Sequence, residues 1–116
     1  MKIPAQAELL RIYIGENDKY QGKPLYEAIV DRAREEKLAG ATVLRGLLGF
    51  GAHNRMHMHK ILRLSEDLPL VIEIVDYPEK IAQFAPLLDD MIEEGYVTLE
   101  KVNVIAYRVG DEKKDD

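Results

Sequence analysis

An α+β domain of order βαββαβ is predicted by three features of the sequence. Two segments carry apolar residues at helical spacing, and four carry the alternation or apolar density of strands. Their order along the chain is strand, helix, strand, strand, helix, strand. Two βαβ halves joined by a central hairpin make the ferredoxin-like sandwich, in which two helices cover one face of a sheet. The 116 residues, 47% hydrophobic and 32% charged, suit one such globular domain, read here as residues 1–110.

Each element has its own warrant. Residues 1–8 form a loose start. Over Leu9–Gly15, Leu10, Ile12 and Ile14 alternate with Leu9, Arg11 and Tyr13, the period of a strand. The polar stretch from Gly15 to Gly22 is a loop. Pro24 is placed in the first turn of a helix, where a missing N–H costs nothing. Leu25, Tyr26, Ile29, Val30 and Ala33 then form one apolar stripe, and Gly40 is the expected left-handed residue that ends it. Ala41–Leu48 and Leu68–Asp76 are the central strands. Asp76-Tyr77-Pro78-Glu79 has the form of a capping box, with Asp76 as N-cap. Ile81, Phe84, Ala85, Leu88, Met91 and Ile92 define a second amphipathic helix, which Pro86 is expected to kink. Asp89, Asp90, Glu93 and Glu94 crowd its C-terminus against the dipole preference. Gly95 breaks that helix and Tyr96–Tyr107 is the last strand, with a bulge expected between Leu99 and Val102. Residues 111–116 are a charged, disordered tail. The sheet face away from the helices is expected to expose Tyr13, Val43, Val71 and Val104, so a second copy is the simplest cover.

Composition removes several function classes. No cysteine is present, so disulfides, thiol catalysis and cysteine-held metals are excluded. Ser65 is the one serine, a poor basis for a serine hydrolase. No apolar run approaches the ~18–20 residues that span a bilayer, and no signal peptide opens the chain, so a cytoplasmic address is expected.

Charge is informative by region. The net charge of −5 divides into zero over residues 1–44, +4 over 45–63 and −9 over 64–116. Arg45, Arg55, Lys60 and Arg63 make the middle segment a basic island, and His53, His57 and His59 all lie in it. Such an island favours an anionic partner. It is too small, and too poor in aromatic residues, for a nucleic-acid surface. The connection between the central strands holds this island, and connections of that length are usually functional.

Candidate groups divide between a plain and a functional reading. Gly49-Phe50-Gly51 is a flexible strand exit or a place where bare backbone N–H groups meet an oxyanion; Asn54 stands where a dinucleotide fingerprint needs its third glycine. Arg45 is an ion-paired strand cation or a ligand contact. His53, His57 and His59 are polar loop residues or ligands for Zn, Cu or Ni, with no nearby carboxylate or cysteine to complete a site. On acidification they would add charge to the island and strengthen anion binding. Met56 and Met58 suit an adaptable contact surface better than a thioether metal site. Glu73 with Asp76, or Asp89 with Asp90, reads as ion-pairing or solvated acid rather than a catalytic pair.

The stretch Gly40-Ala41-Thr42-Val43, running through Arg45-Gly46-Leu47-Leu48-Gly49-Phe50-Gly51, resembles the second strand and T-loop base of PII signal-transduction proteins. Val71-Ile72-Glu73-Ile74-Val75 resembles the returning strand, and Tyr107-Arg108-Val109-Gly110-Asp111 the arginine-containing end of the last. Together with Gly15-Glu16 and Gly22-Lys23-Pro24-Leu25-Tyr26, these motifs are similar to those of the PII-like DUF190 (UPF0166) group, over about Leu9 to Asp111. The resemblance implies a homotrimer with an adenine nucleotide (AMP, ADP or ATP, with or without Mg²⁺) in the clefts between subunits. It implies nucleotide contacts from Arg45, Gly49, Phe50, Gly51, His53, Gly95 and Arg108. A partner-contacting loop would carry Asn54, Arg55, Met56, Met58 and Lys60, and the partner would be a membrane transporter or channel. Ala52 and His53 replace the arginine and glutamine of PII loops, and no tyrosine lies between Phe50 and Ser65. Neither 2-oxoglutarate sensing nor uridylylation is therefore carried over.

Three functions remain. The first is a non-enzymatic regulator that reads a nucleotide and signals through the loop. The second is a metal-responsive protein using the loop histidines. The third, a nucleotide-processing enzyme, lacks a recognisable nucleophile, base or metal cage.

Overall fold

The computed structural model describes residues 5–51 and 67–110. Its elements are β1 (Ala5–Gly15), β2 (Lys19–Tyr20), β3 (Lys23–Pro24), α1 (Leu25–Glu35), β4 (Thr42–Arg45), β5 (Pro69–Asp76), α2 (Pro78–Phe84), a 3-10 helix (Ala85–Asp90) and β6 (Tyr96–Val104). The main sheet has the order β4-β5-β1-β6, and every pair is antiparallel. The outer strands of each βαβ half are thus separated by a strand of the other half. This is the predicted α+β, ferredoxin-like arrangement.

Alternation assigns the two faces. Leu10, Ile12 and Ile14 of β1 lie opposite Ile74, Ile72 and Leu70 of β5, and all six are at most 5% exposed. Leu25, Ala28, Ile29 and Ala33 of α1 pack on them from above, with Ile81 and Phe84 of α2, Leu88 of the 3-10 helix, and Met91. Burial of a side chain of this size stabilises by about 1.5–3 kcal/mol, so this layer carries the fold.

The helix ends depart from expectation in instructive ways. Gly40 does not terminate α1. Lys37 takes the left-handed conformation (φ 62°), its N–H donates to the Arg34 carbonyl, and the Leu38 N–H donates to that of Ala33. That is a Schellman termination, with Leu38 packed on the core as its apolar contact. Asp76 is not the N-cap of α2. Tyr77 holds that position, Pro78 starts the helix, and no side chain caps it. The Asp76 carboxylate is 5% exposed and accepts from the backbone N–H groups of Ala39 (2.8 Å) and Tyr77 (2.7 Å). It staples the α1–β4 connection to the end of β5. Pro86 acts by changing the helix type: α2 gives way at Ala85 to the 3-10 helix, because Pro86 has no N–H for an α-helical bond to Ala82.

The strands also differ in detail. β1 begins at Ala5, inside the segment read as a loose start. The segment expected as a polar loop holds β2 and the turn of the β2–β3 hairpin, made by Gln21 (φ 50°) and Gly22 (φ 84°), the two consecutive left-handed residues a primed turn needs. Pro24 precedes α1 rather than opening it. β4 is four residues long, and β6 ends at Val104 rather than Tyr107. The β1–β6 register runs unbroken from Ala5↔Val104 to Tyr13↔Tyr96, so no bulge interrupts it. Among the described residues no helix is long and apolar enough to cross a membrane.

Candidate functional site

Strand register separates the predicted site residues into two groups at opposite ends of the sheet. At one end Gly15 pairs with Pro69 and Tyr13 with Tyr96. The exit of β4 lies here. The Gly46 N–H donates to the Pro69 carbonyl at 2.6 Å, and a Cβ on Gly46 would stand 2.7 Å from Pro69 Cγ. On Gly49 it would stand 3.1 Å from the same atom. Both glycines therefore fit the chain against Pro69, and Gly46, which the sequence reading did not single out, is the more constrained. Gly51 has no described atom within 4 Å of such a Cβ, so its backbone is open on that side. Phe50 is 71% exposed and does not pack on the core. Arg45 makes the ion pair of its plain reading, with Glu16 Oε2 at 2.5 Å, and its register with Leu70 puts it on the helix-covered side.

Gly95 stands at this end for a steric reason. Its φ is +147°, and a Cβ would lie 2.4 Å from the Tyr13 carbonyl oxygen. The rings of Tyr13 and Tyr96 stack beside it, with centroids 4.4 Å apart and planes 13° from parallel. Arg108 is elsewhere. It follows β6 past the Ala5↔Val104 pair, exposed, at the other end of the sheet. One chain therefore does not bring Arg108 together with Gly49, Gly51 and Gly95. His53, His57, His59, Asn54, Arg55, Met56, Met58, Lys60 and residues 111–116 lie outside the described residues.

The open face explains what the far end offers. Tyr13, Val71 and Val104 belong to it as expected. Val43 does not: it pairs with Ile72 and packs against the core. The face is apolar toward its ends and polar along a line across its middle, where Thr42, Glu73, Arg11 and Thr98 are paired in register. There the Arg11 Nε donates to Glu73 Oε2 at 3.0 Å, and Nη1 donates to Glu100. The hydrogen bond it donates to Glu73, then that to Glu100, holds the guanidinium above its ordinary pKa.

Beside this line an open cavity of about 500 Å³ is lined by Ala39, Gly40, Ala41, Thr42, Glu73, Val75, Val104 and Tyr107. Small residues form its rim, valines and a tyrosine its apolar wall, and Thr42 and Glu73, directly paired in register, its polar one. Sequence spacing alone, with Thr42 and Glu73 on different strands, does not reveal this pairing. The available clue was a lone acid in the apolar run Val71-Ile72-Glu73-Ile74-Val75. A second cavity of about 480 Å³, between Gln6, Pro78 and Asn103, contains none of the predicted residues. Among the described residues no cluster of three or more histidines or acids is arranged to hold a metal.

Known proteins share this sequence and shape. Residues 7–104 match the model of the DUF190 family, described as an uncharacterised ACR. A UPF0166 protein of Aquifex aeolicus is 41% identical over 98 residues, covering 84% of this chain and 92% of its own. One from Methanocaldococcus jannaschii is 38% identical over 88 residues, covering 76% and 81%. The solved CPII of Thiomonas intermedia K12 bound to ADP, AMP and acetate has a TM-score of 0.60 at 17% identity, covering 94% of this chain and 93% of that one. Its structure with ADP and bicarbonate has a TM-score of 0.56 at 19% identity, covering 86% and 89%.

Proposed function

The chain belongs to the DUF190 (UPF0166) family and has the PII-like fold, and from that premise we propose that it is a non-enzymatic, cytoplasmic regulator that binds an adenine nucleotide. The observation that carries the reading is the cavity beside Thr42 and Glu73, because it opens on the sheet face that a neighbouring subunit would cover. Ligand and subunit contact then share one surface, and binding at it is linked to assembly.

In this reading the base and ribose occupy the cavity, with Tyr107 and Val75 against the base. The phosphates run along the edge strand β4 toward Gly49 and Gly51. From Thr42 to Gly46 that path is about 13 Å, at ~3.3 Å per residue. Arg108, remote from these glycines in its own chain, would serve the phosphates held by a neighbour, with Mg²⁺ as a companion ion. The assembly is a homotrimer. The Asn54–Lys60 loop then meets a protein partner, a membrane transporter or channel, and the nucleotide acts by its differential affinity for the loop's signalling state. CPII, which shares the fold and was solved with ADP and AMP bound, supports the ligand class.

The test is calorimetric titration of metal-stripped protein with AMP, ADP and ATP, each with and without Mg²⁺. Micromolar binding near one site per chain is expected. Gly51→Val adds bulk where no described residue stands within 4 Å, so it shields backbone N–H groups without crowding the described fold, and should weaken binding. Tyr107→Ala and Arg108→Ala should weaken it through the base and the phosphates. Absence of binding to all three nucleotides overturns the reading.

A further inference from the structure

Arg11 stands outside the cavity yet holds one of its walls. Glu73 is flanked in register by Thr42 on β4 and by Arg11 on β1. Its side chain is 34% exposed and lines the cavity, while Arg11, 33% exposed, is absent from that lining. The Arg11 Nε engages one oxygen of Glu73, Oε2, at 3.0 Å. The Arg11 Nη1 is anchored in turn on Glu100 of β6, so the guanidinium is fixed between two carboxylates on opposite sides of β1.

An ionised carboxylate accepts hydrogen bonds and donates none, so a ligand group beside Glu73 must be a donor. The rest of the cavity is apolar or small, apart from Thr42. A nucleoside fits such a wall with its base on the apolar side and its sugar hydroxyls at Glu73. Two vicinal hydroxyls present two donors to one carboxylate. That geometry requires the carboxylate to keep a single orientation. A flexible glutamate on a half-exposed strand loses side-chain entropy when it is so held, and Arg11 holds it before the ligand arrives.

We propose that Arg11 is a positioning residue, which by orienting Glu73 makes the cavity select a ribonucleotide over its 2′-deoxy counterpart. The proposal rests on the nucleotide reading above and assigns its sugar specificity to a residue that does not touch the ligand. Glu100 belongs to the same device as the second anchor of Arg11. Lysine cannot replace Arg11, because a single ammonium lacks the planar fork that reaches both carboxylates at once.

The experiment measures Kd for ADP and for 2′-deoxy-ADP by calorimetry in the wild-type protein, Arg11→Ala, Arg11→Lys and Glu100→Gln. The wild type should prefer ADP about tenfold or more, the scale of a hydrogen bond to a charged group. Arg11→Ala and Arg11→Lys should weaken ADP binding more than 2′-deoxy-ADP binding, which keeps only the 3′-hydroxyl for Glu73, so the ratio falls toward one. Glu100→Gln should give an intermediate ratio. It also answers the question if Arg11→Ala does not fold, since it alters an exposed strand residue and keeps the volume. A merely structural Arg11 would weaken both ligands equally, and an unchanged ratio in these variants overturns the proposal. So does a wild type that binds both ligands equally. Failure of the wild type to bind ADP at all is a different result: it removes the nucleotide reading, and this proposal with it.

Discussion

The two faces of the sheet are built from alternate residues of the same strands and differ in almost every physical respect. Ile72 of β5 is 0% exposed beneath the helices, while its neighbour Val71 is half-buried on the open face. The covered face is aliphatic throughout its middle. The open face mixes the stacked Tyr13 and Tyr96, scattered aliphatics and the Glu73–Arg11–Glu100 line. The covered face satisfies itself within one chain. The open face leaves apolar area and a cavity facing outward, and its ion pairs are solvent-screened until something covers them. Stability is thus concentrated on one side of the sheet and recognition on the other.

The largest effects should come from the covered side. Ile72→Ala should cost about 2–5 kcal/mol in denaturant unfolding, through lost burial and the cavity left behind. Val71→Ala, one residue away, should cost under about 1 kcal/mol in dilute protein, where the open face is wet. Its larger effect should be a weaker concentration dependence of the melting temperature, since it trims the surface between copies. Equal losses for the two variants in dilute protein would break the distinction between the faces.

Gly95→Ala should come next, at about 1–3 kcal/mol. The new Cβ meets the Tyr13 carbonyl at 2.4 Å, and the backbone is at φ +147°. The substitution sharpens the comparison because its tightest contact is with β1 backbone opposite the start of β6, while Ile14 of the core, 3.3 Å from the new Cβ, is only crowded. Its unfolding midpoint should fall and the Tyr13–Tyr96 stack, seen in near-ultraviolet circular dichroism, should change. A full nucleotide affinity in this variant would assign Gly95 to the fold alone.

Asp76→Asn should cost about 1 kcal/mol. A carboxamide keeps one acceptor oxygen where the carboxylate uses two, so either the Ala39 or the Tyr77 N–H loses its partner. Ala39 also rims the cavity, so this variant asks how far a change under the sheet reaches the open face. A measurable loss of ADP affinity alongside the small loss of stability is the expected result.

How much of this was legible in the sequence follows the same division. The alternation of Leu10, Ile12 and Ile14 with Leu9, Arg11 and Tyr13 marks the two faces of β1, because period-2 burial needs only the residue types. The mixed residues of β6 and β4 gave no such pattern. Val43 was assigned to the wrong face, and a bulge was expected where the register runs straight, because both β6 faces are largely solvent-exposed in one chain. Local chemistry misled at Asp76 and Gly40. An Asp three residues before Glu resembles a cap, and a glycine resembles a terminator, yet tertiary hydrogen bonds took Asp76 and Lys37 supplied the left-handed turn. The Gln21-Gly22 hairpin was missed because glutamine lacks the short side chain that marks asparagine for such a turn. The candidate cavity needed Thr42, Glu73 and Tyr107 together, and only the strand pairing puts the first two side by side.

The smallest effect should come from the outer surface of the covered side. Lys23 and Asp31 form an ion pair at 2.8 Å across the start of α1, both nearly half exposed. The hydrogen bond from Lys23, and then its charge, hold the Asp31 carboxyl below its ordinary value of 3.8. A carboxyl with a depressed folded-state pKa stabilises the fold above its unfolded value and loses that contribution as pH falls through the folded value. The pair should therefore contribute equally at pH 7 and pH 5, and its contribution should vanish only below pH 3.8. Wild type and Asp31→Asn should show thermal melts a small, constant interval apart from pH 7 to 5, converging under more acidic conditions. Added salt should narrow the interval, because exposed pairs are screened. A gap as large as that of Ile72→Ala would mean that charge outside α1 supports the covered face as much as the apolar layer beneath it.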